Sequence, residues 1–383
     1  MDKPDPADIG IIEDSAKRFA QTEVRPHLEA WETAGEFPKE IYARLGELGW
    51  LGMGFDEAYG GTPAPMALRN ALSITLARYT GSGGFLAGAF SHTIGLPVIA
   101  RFGSDALKQR IMPDVLAGKK ISALAVTEPG GGSDVANIRT TAIRDADHYV
   151  IDGEKIFITS GMRADWITLA VRTDPASRGP EGISMVAVPG DAPGLTRHKL
   201  DKMGWLCSDT AMLHFDKVRV PLANLIGEEG KGFKLIMNNF NAERINIAAM
   251  ALGSALCCYD EALDWARQRR TFGKTLTEHQ VVRHKLVDMH MRIASTRAWL
   301  DSVVDRADRG ETGADWVAEV CLLKNHATQS MQFCADQAVQ ILGGMGYMRG
   351  TASERLYREV KVLTIGGGTE EIMKELAARQ LEI

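Results

Sequence analysis

The stretch ALAVTEPGGGSD, residues 123–134, lies where the sequence pattern changes from helical to extended. Before it, apolar residues recur every three or four positions, which predicts helices over residues 8–31, Lys39–Leu48, 64–79 and 83–101. After it come short segments rich in Val, Ile, Phe and Thr, such as WITLAVR and ISMVAVP, separated by Gly, Pro or Asp. This pattern predicts an N-terminal helical domain over residues 1–120 and a middle antiparallel β-sandwich or barrel over residues 121–232.

Helical spacing returns after the β segment. Apolar residues follow three-or-four spacing in three long stretches, at 245–266, 282–307 and 316–341. Thr369 is a suitable N-cap for a last helix at about 369–381. Long amphipathic helices with short loops predict a C-terminal four-helix bundle over residues 233–383, and hence an α+β protein of three domains.

Glycine is frequent, at 39 residues against 14 prolines, and much of the excess lies at 130–132, 343–346 and 366–368. Such runs leave backbone N–H groups uncovered, so they can cradle a phosphate or approach a flat cofactor. Each run also suits a plainer role as a turn, a helix C-cap or a linker. The patterns GxGxxG and GxxxxGKS/T do not occur, so a Rossmann or P-loop site is not supported.

The segment RQRRTFGKTLTEHQ, residues 267–280, joins two predicted helices. Three arginines beside a Phe-Gly pair suit a phosphate clamp with an aromatic shelf. A solvated, charged helix end is the alternative interpretation.

The composition excludes several other classes of protein. Lys plus Arg number 44 and Asp plus Glu 49, a net charge of −5 with no basic block, so we expect no nucleic-acid binding. The start MDKPDPADIG has neither a signal-peptide nor a transit-peptide pattern, and no run of about 18 apolar residues predicts a membrane span. The five cysteines form no CxxC pair, and the nine histidines have no metal spacing. We expect a cytoplasmic protein with reduced thiols and no metal site.

Taken in order, these motifs resemble the acyl-CoA dehydrogenase family across essentially the whole chain. ALAVTEPGGGSD is similar to the family's first signature, and QILGGMGY with ERLYREVKVLTIGGGTEEIMKELAARQL is similar to the second. KIFITSG, RRTFGKTLTEHQ and KMGWLCSDTAMLHFDKVRVPLANLIGEEGKGF are further matches. One departure is Asn137, at the edge of the glycine loop, where the signature usually has a small residue.

The resemblance implies a flavoenzyme that uses FAD. Val126 and Thr127 would contact the isoalloxazine edge, whereas Ser133, beside Gly132, would contact the pyrophosphate. Phe157 stands where the family usually has Trp beside the flavin ring, and Thr159 would reach the region of flavin N5. At the other end of the chain, the resemblance assigns Thr369 to the subunit's own FAD, and Glu371 is a further cofactor-binding candidate.

The same resemblance implies a site shared between subunits. The FAD of a neighbouring subunit would be contacted by Arg269, Thr271, Phe272, Gln340 and Gly344. A shared site requires at least a dimer, and members of the family are usually homotetramers.

Many family members carry the catalytic base as the Glu of a Tyr-Glu-Gly-Thr sequence, and here that stretch is Gly366-Gly367-Gly368-Thr369. The usual carboxylate position is therefore Gly367, which has no side chain. A subset of long-chain and isovaleryl-CoA dehydrogenase type places its Glu on a helix, and Glu243 occupies the matching position here. A Glu-Arg pair on a helix is by itself usually a solvated or salt-bridged pair. The missing carboxylate at one position and its presence at the other predict Glu243 as the base.

The expected reaction is the α,β-dehydrogenation of an acyl-CoA to the trans-2-enoyl-CoA, with hydride passing to flavin N5 and electrons to electron-transfer flavoprotein. The backbone N–H of Gly367 would polarise the thioester carbonyl, and Ser133 and Arg244 would also contact the substrate. An oxidase or desulfinase on the same fold, or a non-catalytic relative that lost its base, remains the alternative. Candidates for the floor of the acyl pocket are Phe85, Phe90, His92 and Ile94, with buried packing as their other role.

Overall fold

The computed structural model describes residues 4–383, with only the backbone at residue 238. The order of a helical region, a β region and a second helical region is confirmed. The helices that precede the first strand are α1 (Pro6–Phe19), α2 (Leu28–Ala34), α3 (Glu40–Glu47), α4 (Met66–Thr80), α5 (Gly83–Ala89), α6 (His92–Phe102) and α7 (Asp105–Leu116).

The helix predicted over residues 8–31 is interrupted at Pro26. A π-helical turn over Ala20–Val24 follows α1, and α2 starts only at Leu28. Proline lacks an N–H and its ring clashes with the carbonyl one turn back, so a regular helix does not continue through it. The segment predicted as one helix over 83–101 is likewise two helices, α5 and α6, and α7 was not predicted.

The middle of the chain forms one eight-stranded sheet in the order β6-β7-β3-β2-β4-β5-β8, with β1 paired to β4. Its strands are β1 (Ser122–Ala125), β2 (Thr141–Asp145), β3 (His148–Thr159), β4 (Trp166–Arg172), β5 (Ile183–Pro189), β6 (Leu195–Lys199), β7 (Thr210–Pro221) and β8 (Leu225–Ile226). Most pairings are antiparallel as predicted, but β1 and β2 pair with β4 in parallel. Alternation of residue types identifies strands and carries no information on strand direction, so the sequence pattern missed this detail.

Strand β4 is buried along its whole length because both faces of the sheet are covered. Trp166 and Ala170 pack with Leu96 and Ile99 of α6. Ile167 and Leu169, between them, pack with side chains from the other strands. The sheet is thereby fastened to the N-terminal helices, and the glycine loop that follows β1 starts from a rigid base.

The C-terminal region is built on long helices: α8 (Gly232–Gln268), α9 (Gln280–Asp308), α10 (Ala314–Leu342), α11 (Gly344–Tyr347), α12 (Ala352–Ile365) and α13 (Glu370–Gln380). A two-stranded hairpin, β9 (Arg270–Thr271) and β10 (Lys274–Thr275), joins α8 to α9. The core of the bundle takes side chains from α8, α9 and α10 and, as the fourth helix, from α12. We expected α13 in that place, but its Met373 and Ala377 pack on α10 in a separate cluster with Ala318 and Cys321.

One segment, Gly83–Phe102, is long and apolar enough for a membrane span by length and composition alone. It is 67% buried inside the fold and is divided between α5 and α6, as expected of a core segment. The five cysteines are buried, and none of them forms a disulfide.

Candidate active site

Glu243 lies on α8, where it faces the interior of the bundle. The residue is partly buried, and its Oε2 atom has no hydrogen-bond partner within the described chain. Burial, opposed by the charges of Arg244 and Lys324, raises the pKa of the Glu243 carboxyl to about 7. A buried carboxyl oxygen without a partner is costly in a purely structural role, so Glu243 is a candidate for a functional role.

The glycine turn between α12 and α13 lies opposite Glu243. Gly367 and Gly368 have φ values of +67° and +109°, which side-chain-bearing residues adopt only with strain. A Cβ atom on Gly367 would lie 3.9 Å from Oε1 of Glu243 and 2.7 Å from Cδ1 of Ile247. The fold therefore brings together the two positions that the sequence analysis connected, although they are 124 positions apart in the chain.

Arg244 connects α8 to this turn. It is buried, and its Nε donates to the carbonyl oxygen of Gly367 at 3.1 Å, while Nη1 donates to Oδ1 of Asn241. Its guanidinium also lies over the ring of Phe240. Arg244 thus positions the turn. Its side chain donates to Gly367 and Asn241 and not to the carboxyl of the adjacent Glu243.

Lys324 and Asn325 of α10 hold the other side of the turn. Lys324 is fully buried and donates from Nζ to the carbonyl oxygen of Gly368 at 2.7 Å, and Asn325 Nδ2 donates to the carbonyl oxygen of Glu370 at 2.9 Å. Thr369 caps α13 by accepting from the N–H of Ile372, and Glu371 follows it in the exposed first turn. The sequence analysis missed Lys324 and Asn325. The signal available in the sequence was that Lys324 adjoins the apolar stripe of α10, where a charged residue is unexpected.

The glycine loop after β1 has a second buried support. Lys155, which is fully buried on β3, donates from Nζ to the carbonyl oxygen of Val126 at 2.9 Å and to Oε1 of Glu128 at 2.8 Å. Glu128 also accepts from the N–H groups of Arg139 and Thr140. Burial lowers the pKa of Lys155 to about 8, and the charge of Glu128 opposes that shift. This pair, which the sequence analysis also missed, fixes the loop at its base.

Beyond the Lys155–Glu128 pair, the glycine loop is open. A Cβ atom on Gly130 would have no neighbour within 4 Å, and one on Gly132 would touch only the methyl group of Thr127, at 3.5 Å. Val126 is buried under the loop, and Ser133 is exposed at its edge. The loop therefore leaves backbone and a hydroxyl open to a ligand.

Phe157 lies near the end of β3 in a strained conformation. Its φ is +62°, it lies within a register shift of the β3–β7 pairing between Lys155 and Ile158, and its side chain is 67% exposed. An exposed Phe held at positive φ is rare, because the left-handed region is unfavourable for a bulky residue. The irregularity turns the ring outwards two residues before Thr159 and fits a surface that contacts a flat ligand.

The remaining predicted cofactor residues lie far from Glu243 of the same chain. Arg269 follows α8 and lies 26 positions after Glu243, which at about 1.5 Å per residue is about 39 Å along the helix. Phe272 is 96% exposed at the tip of the β9–β10 hairpin, close to Thr271. Gln340 and Gly344 are exposed at the end of α10, where Gln340 lies 16 positions, or about 24 Å along the helix, after the Lys324 that contacts the turn opposite Glu243. One chain therefore does not bring these five residues to its own Glu243.

The four candidates for the pocket floor divide into two pairs. Phe85 is fully buried against Trp31 and Phe37, and His92 is buried with its Nε2 at 2.9 Å from the carbonyl oxygen of Leu51. Burial lowers the pKa of His92 to about 4, so it is neutral. These two residues are part of the packed core. Phe90 and Ile94 are only partly buried.

Comparison with known proteins identifies the chain's relatives. The family models for the N-terminal, middle and C-terminal domains of acyl-CoA dehydrogenase match residues 7–119, 123–218 and 230–382. The long-chain specific acyl-CoA dehydrogenase of Rattus norvegicus is 37% identical, over 97% of this chain and 86% of the rat protein.

Solved structures match the fold of this chain over nearly its whole length. The acyl-CoA dehydrogenase of Geobacillus kaustophilus has a TM-score of 0.95 at 36% identity, with 100% of both chains covered. A glutaryl-CoA dehydrogenase of Mycobacterium smegmatis, solved in complex with FADH2, has a TM-score of 0.92 at 25% identity and covers 99% of this chain and 95% of its own. The chain therefore belongs to the acyl-CoA dehydrogenase family, whose cofactor is FAD.

Proposed function

We propose that this protein removes the α-proton of an acyl-CoA thioester with Glu243 and releases the trans-2-enoyl-CoA. The observation that carries this proposal is the carboxyl of Glu243, buried with a pKa of about 7 opposite the turn at Gly367. A base works best when its pKa lies near the operating pH, since it is then both deprotonated and basic enough to take a proton. An ordinary exposed Glu is a much weaker base.

The chain's own residues would perform the proton transfer. The carboxylate of Glu243 takes the α-proton, and the electron pair of that C–H bond forms the new double bond as hydride leaves the β-carbon. FAD supplies the hydride acceptor when bound. The N–H of Gly367 points from a turn that Arg244 and Lys324 hold in place, and it would donate to the thioester oxygen, where negative charge develops.

The residues around the glycine loop fit FAD. Val126, Thr127, Gly132 and Ser133 would hold the cofactor at the glycine loop, and Phe157 and Thr159 would contact the flavin ring. Each of these positions lies on an edge that the described chain leaves open, or partly open, to a ligand, apart from the buried Val126. The hydroxyl-rich, uncharged lining suits an uncharged flavin ring.

A second subunit would complete the site. Arg269 lies about 39 Å from Glu243 along α8, and the hairpin that carries Phe272 continues from that end of the helix, so within one chain neither residue has a part in the site. The almost fully exposed Phe272, with Tyr347 87% exposed, is typical of a surface covered in an oligomer. We therefore propose a homo-oligomer, a homotetramer as is usual in the family, in which these residues contact the FAD of a neighbouring subunit.

The test is anaerobic titration of the purified flavoprotein with straight-chain, branched and aromatic acyl-CoAs, a panel that also covers the long-chain class named for the rat relative. We expect the oxidised-flavin absorbance to be lost with at least one of them, at a rate that rises with pH through a midpoint near the Glu243 pKa of about 7. Glu243→Gln should keep the flavin spectrum and lose the bleaching, whereas Glu375→Gln, at an exposed site on α13, should behave as the wild type.

Three outcomes would count against the proposal in different ways. Normal bleaching in Glu243→Gln would remove Glu243 from the mechanism. A wild-type protein that binds no flavin, or that no acyl-CoA bleaches, would favour a non-catalytic relative. Turnover that consumes oxygen at full rate without added electron-transfer flavoprotein would identify an oxidase.

A further inference from the structure

Lys324 is a fully buried cation whose hydrogen bond goes to a backbone carbonyl and not to a carboxylate. Its Nζ donates to the oxygen of Gly368 at 2.7 Å. Burying an ammonium group is costly, and one backbone hydrogen bond offsets only part of that cost. A methionine or leucine would fill the same space in α10 more favourably, so packing alone does not explain why a charged residue occupies position 324.

Two cations from two helices hold successive carbonyl groups of one turn. Arg244 of α8 binds the oxygen of Gly367 at 3.1 Å, and Lys324 of α10 binds the oxygen of Gly368. These bonds fix both peptide planes that flank Gly368, in a turn whose glycines stand at positive φ. The turn that faces Glu243 is therefore clamped from both sides by positive charge.

The same two cations act on the carboxyl of Glu243. Burial raises its pKa, and the charges of Arg244 and Lys324 both lower it, with the balance at about 7. The other groups that face this cluster are Cys321 on α10 and Glu370 on α13. Burial lowers the pKa of Lys324 itself to about 8, and Glu370 opposes that shift, so Lys324 is largely protonated at neutral pH.

We propose that Lys324 is a positioning residue of the active site, which anchors the glycine turn and whose charge favours the ionised form of the Glu243 carboxyl at neutral pH. The proposal rests on the proposed role of Glu243 as the base. It assigns to α10 a direct influence on the pH range in which the enzyme works.

The test compares two neutral variants with one charged variant. In Lys324→Met and Lys324→Gln, the midpoint of the rate of flavin bleaching against pH should move upwards by roughly one pH unit, because a cation near the carboxylate is lost. Lys324→Arg keeps the charge and should stay near the wild-type midpoint. Lys374→Met, which removes an exposed cation from α13, is the matched control and should change nothing.

A second measurement does not depend on turnover. In protein labelled with carboxyl-13C glutamate, the Glu243 resonance, assigned by its absence in Glu243→Gln, should titrate at higher pH in the two neutral variants. If both neutral variants lose thermal stability or flavin but keep the wild-type midpoint, Lys324 is only structural and the proposal is wrong. If Glu243→Gln still bleaches, the base assignment fails, whereas the 13C titration still reports whether Lys324 acts on Glu243.

Discussion

Oε1 of Glu243 lies 3.9 Å from the point where a side chain on Gly367 would begin. A carboxylate on α8 thus reaches the place that a carboxylate on the turn would otherwise occupy. Glu243 is on α8, and Gly367 is in the turn that follows α12. The packing of α8, α10 and α12 brings the two residues together. This relationship is the basis of the proposed base and of the first two predictions below.

Glu243→Gln should raise the thermal midpoint of unfolding at alkaline pH only. Burial raises the pKa of Glu243 from 4.5 to about 7, so the folded carboxyl keeps its proton where the unfolded chain has lost it. The free energy of unfolding therefore falls as pH rises through that window, by on the order of 3 kcal/mol, and the neutral amide lacks this loss. Melting curves at pH about 4 and about 9 provide the measurement. An equal difference at both pH values would contradict the buried, shifted carboxyl.

Gly367→Ala should slow flavin bleaching and destabilise the fold by about 1–2 kcal/mol, since a Cβ at positive φ is strained. The added methyl would also lie 2.7 Å from Cδ1 of Ile247. Adding Ile247→Val removes that atom and should restore part of the rate. Gly310→Ala has the same kind of strain, at φ +82° with no neighbour within 4 Å, and should leave the rate unchanged. A double variant no faster than Gly367→Ala would exclude the contact with Ile247 as the cause.

Lys155→Met should weaken the retention of FAD and lower the stability by about 3–5 kcal/mol, because it leaves Glu128 buried without its cation. Glu128→Gln in the same chain should recover part of that stability. The exposed pair Arg219–Asp145 offers a control, since Arg219→Met should cost less than about 1 kcal/mol. Flavin content after gel filtration and thermal midpoints are the readouts. Full flavin occupancy in Lys155→Met would show that the pair does not support the loop.

Much of this molecule follows from local sequence alone. Three-or-four spacing of apolar residues located α8, α9 and α10, and short β-branched segments located the strands of the middle sheet. Helices, strands and turns depend on residues close in sequence, whose periodicity and turn preferences a single chain displays directly. Glu243 and Gly367 were identified by the resemblance to the family that the motifs carry, and not by periodicity.

The tertiary structure alone decided which charges support the site. Lys155 meets Glu128 across 27 residues and Lys324 meets the turn across 44 residues, and neither contact leaves a periodic signal. It also decided that α12 rather than α13 completes the bundle core, and that Phe85 and His92 are core residues. The physical reason is that burial and charge pairing depend on which distant segments pack together, whereas sequence patterns report only what neighbours along the chain prefer.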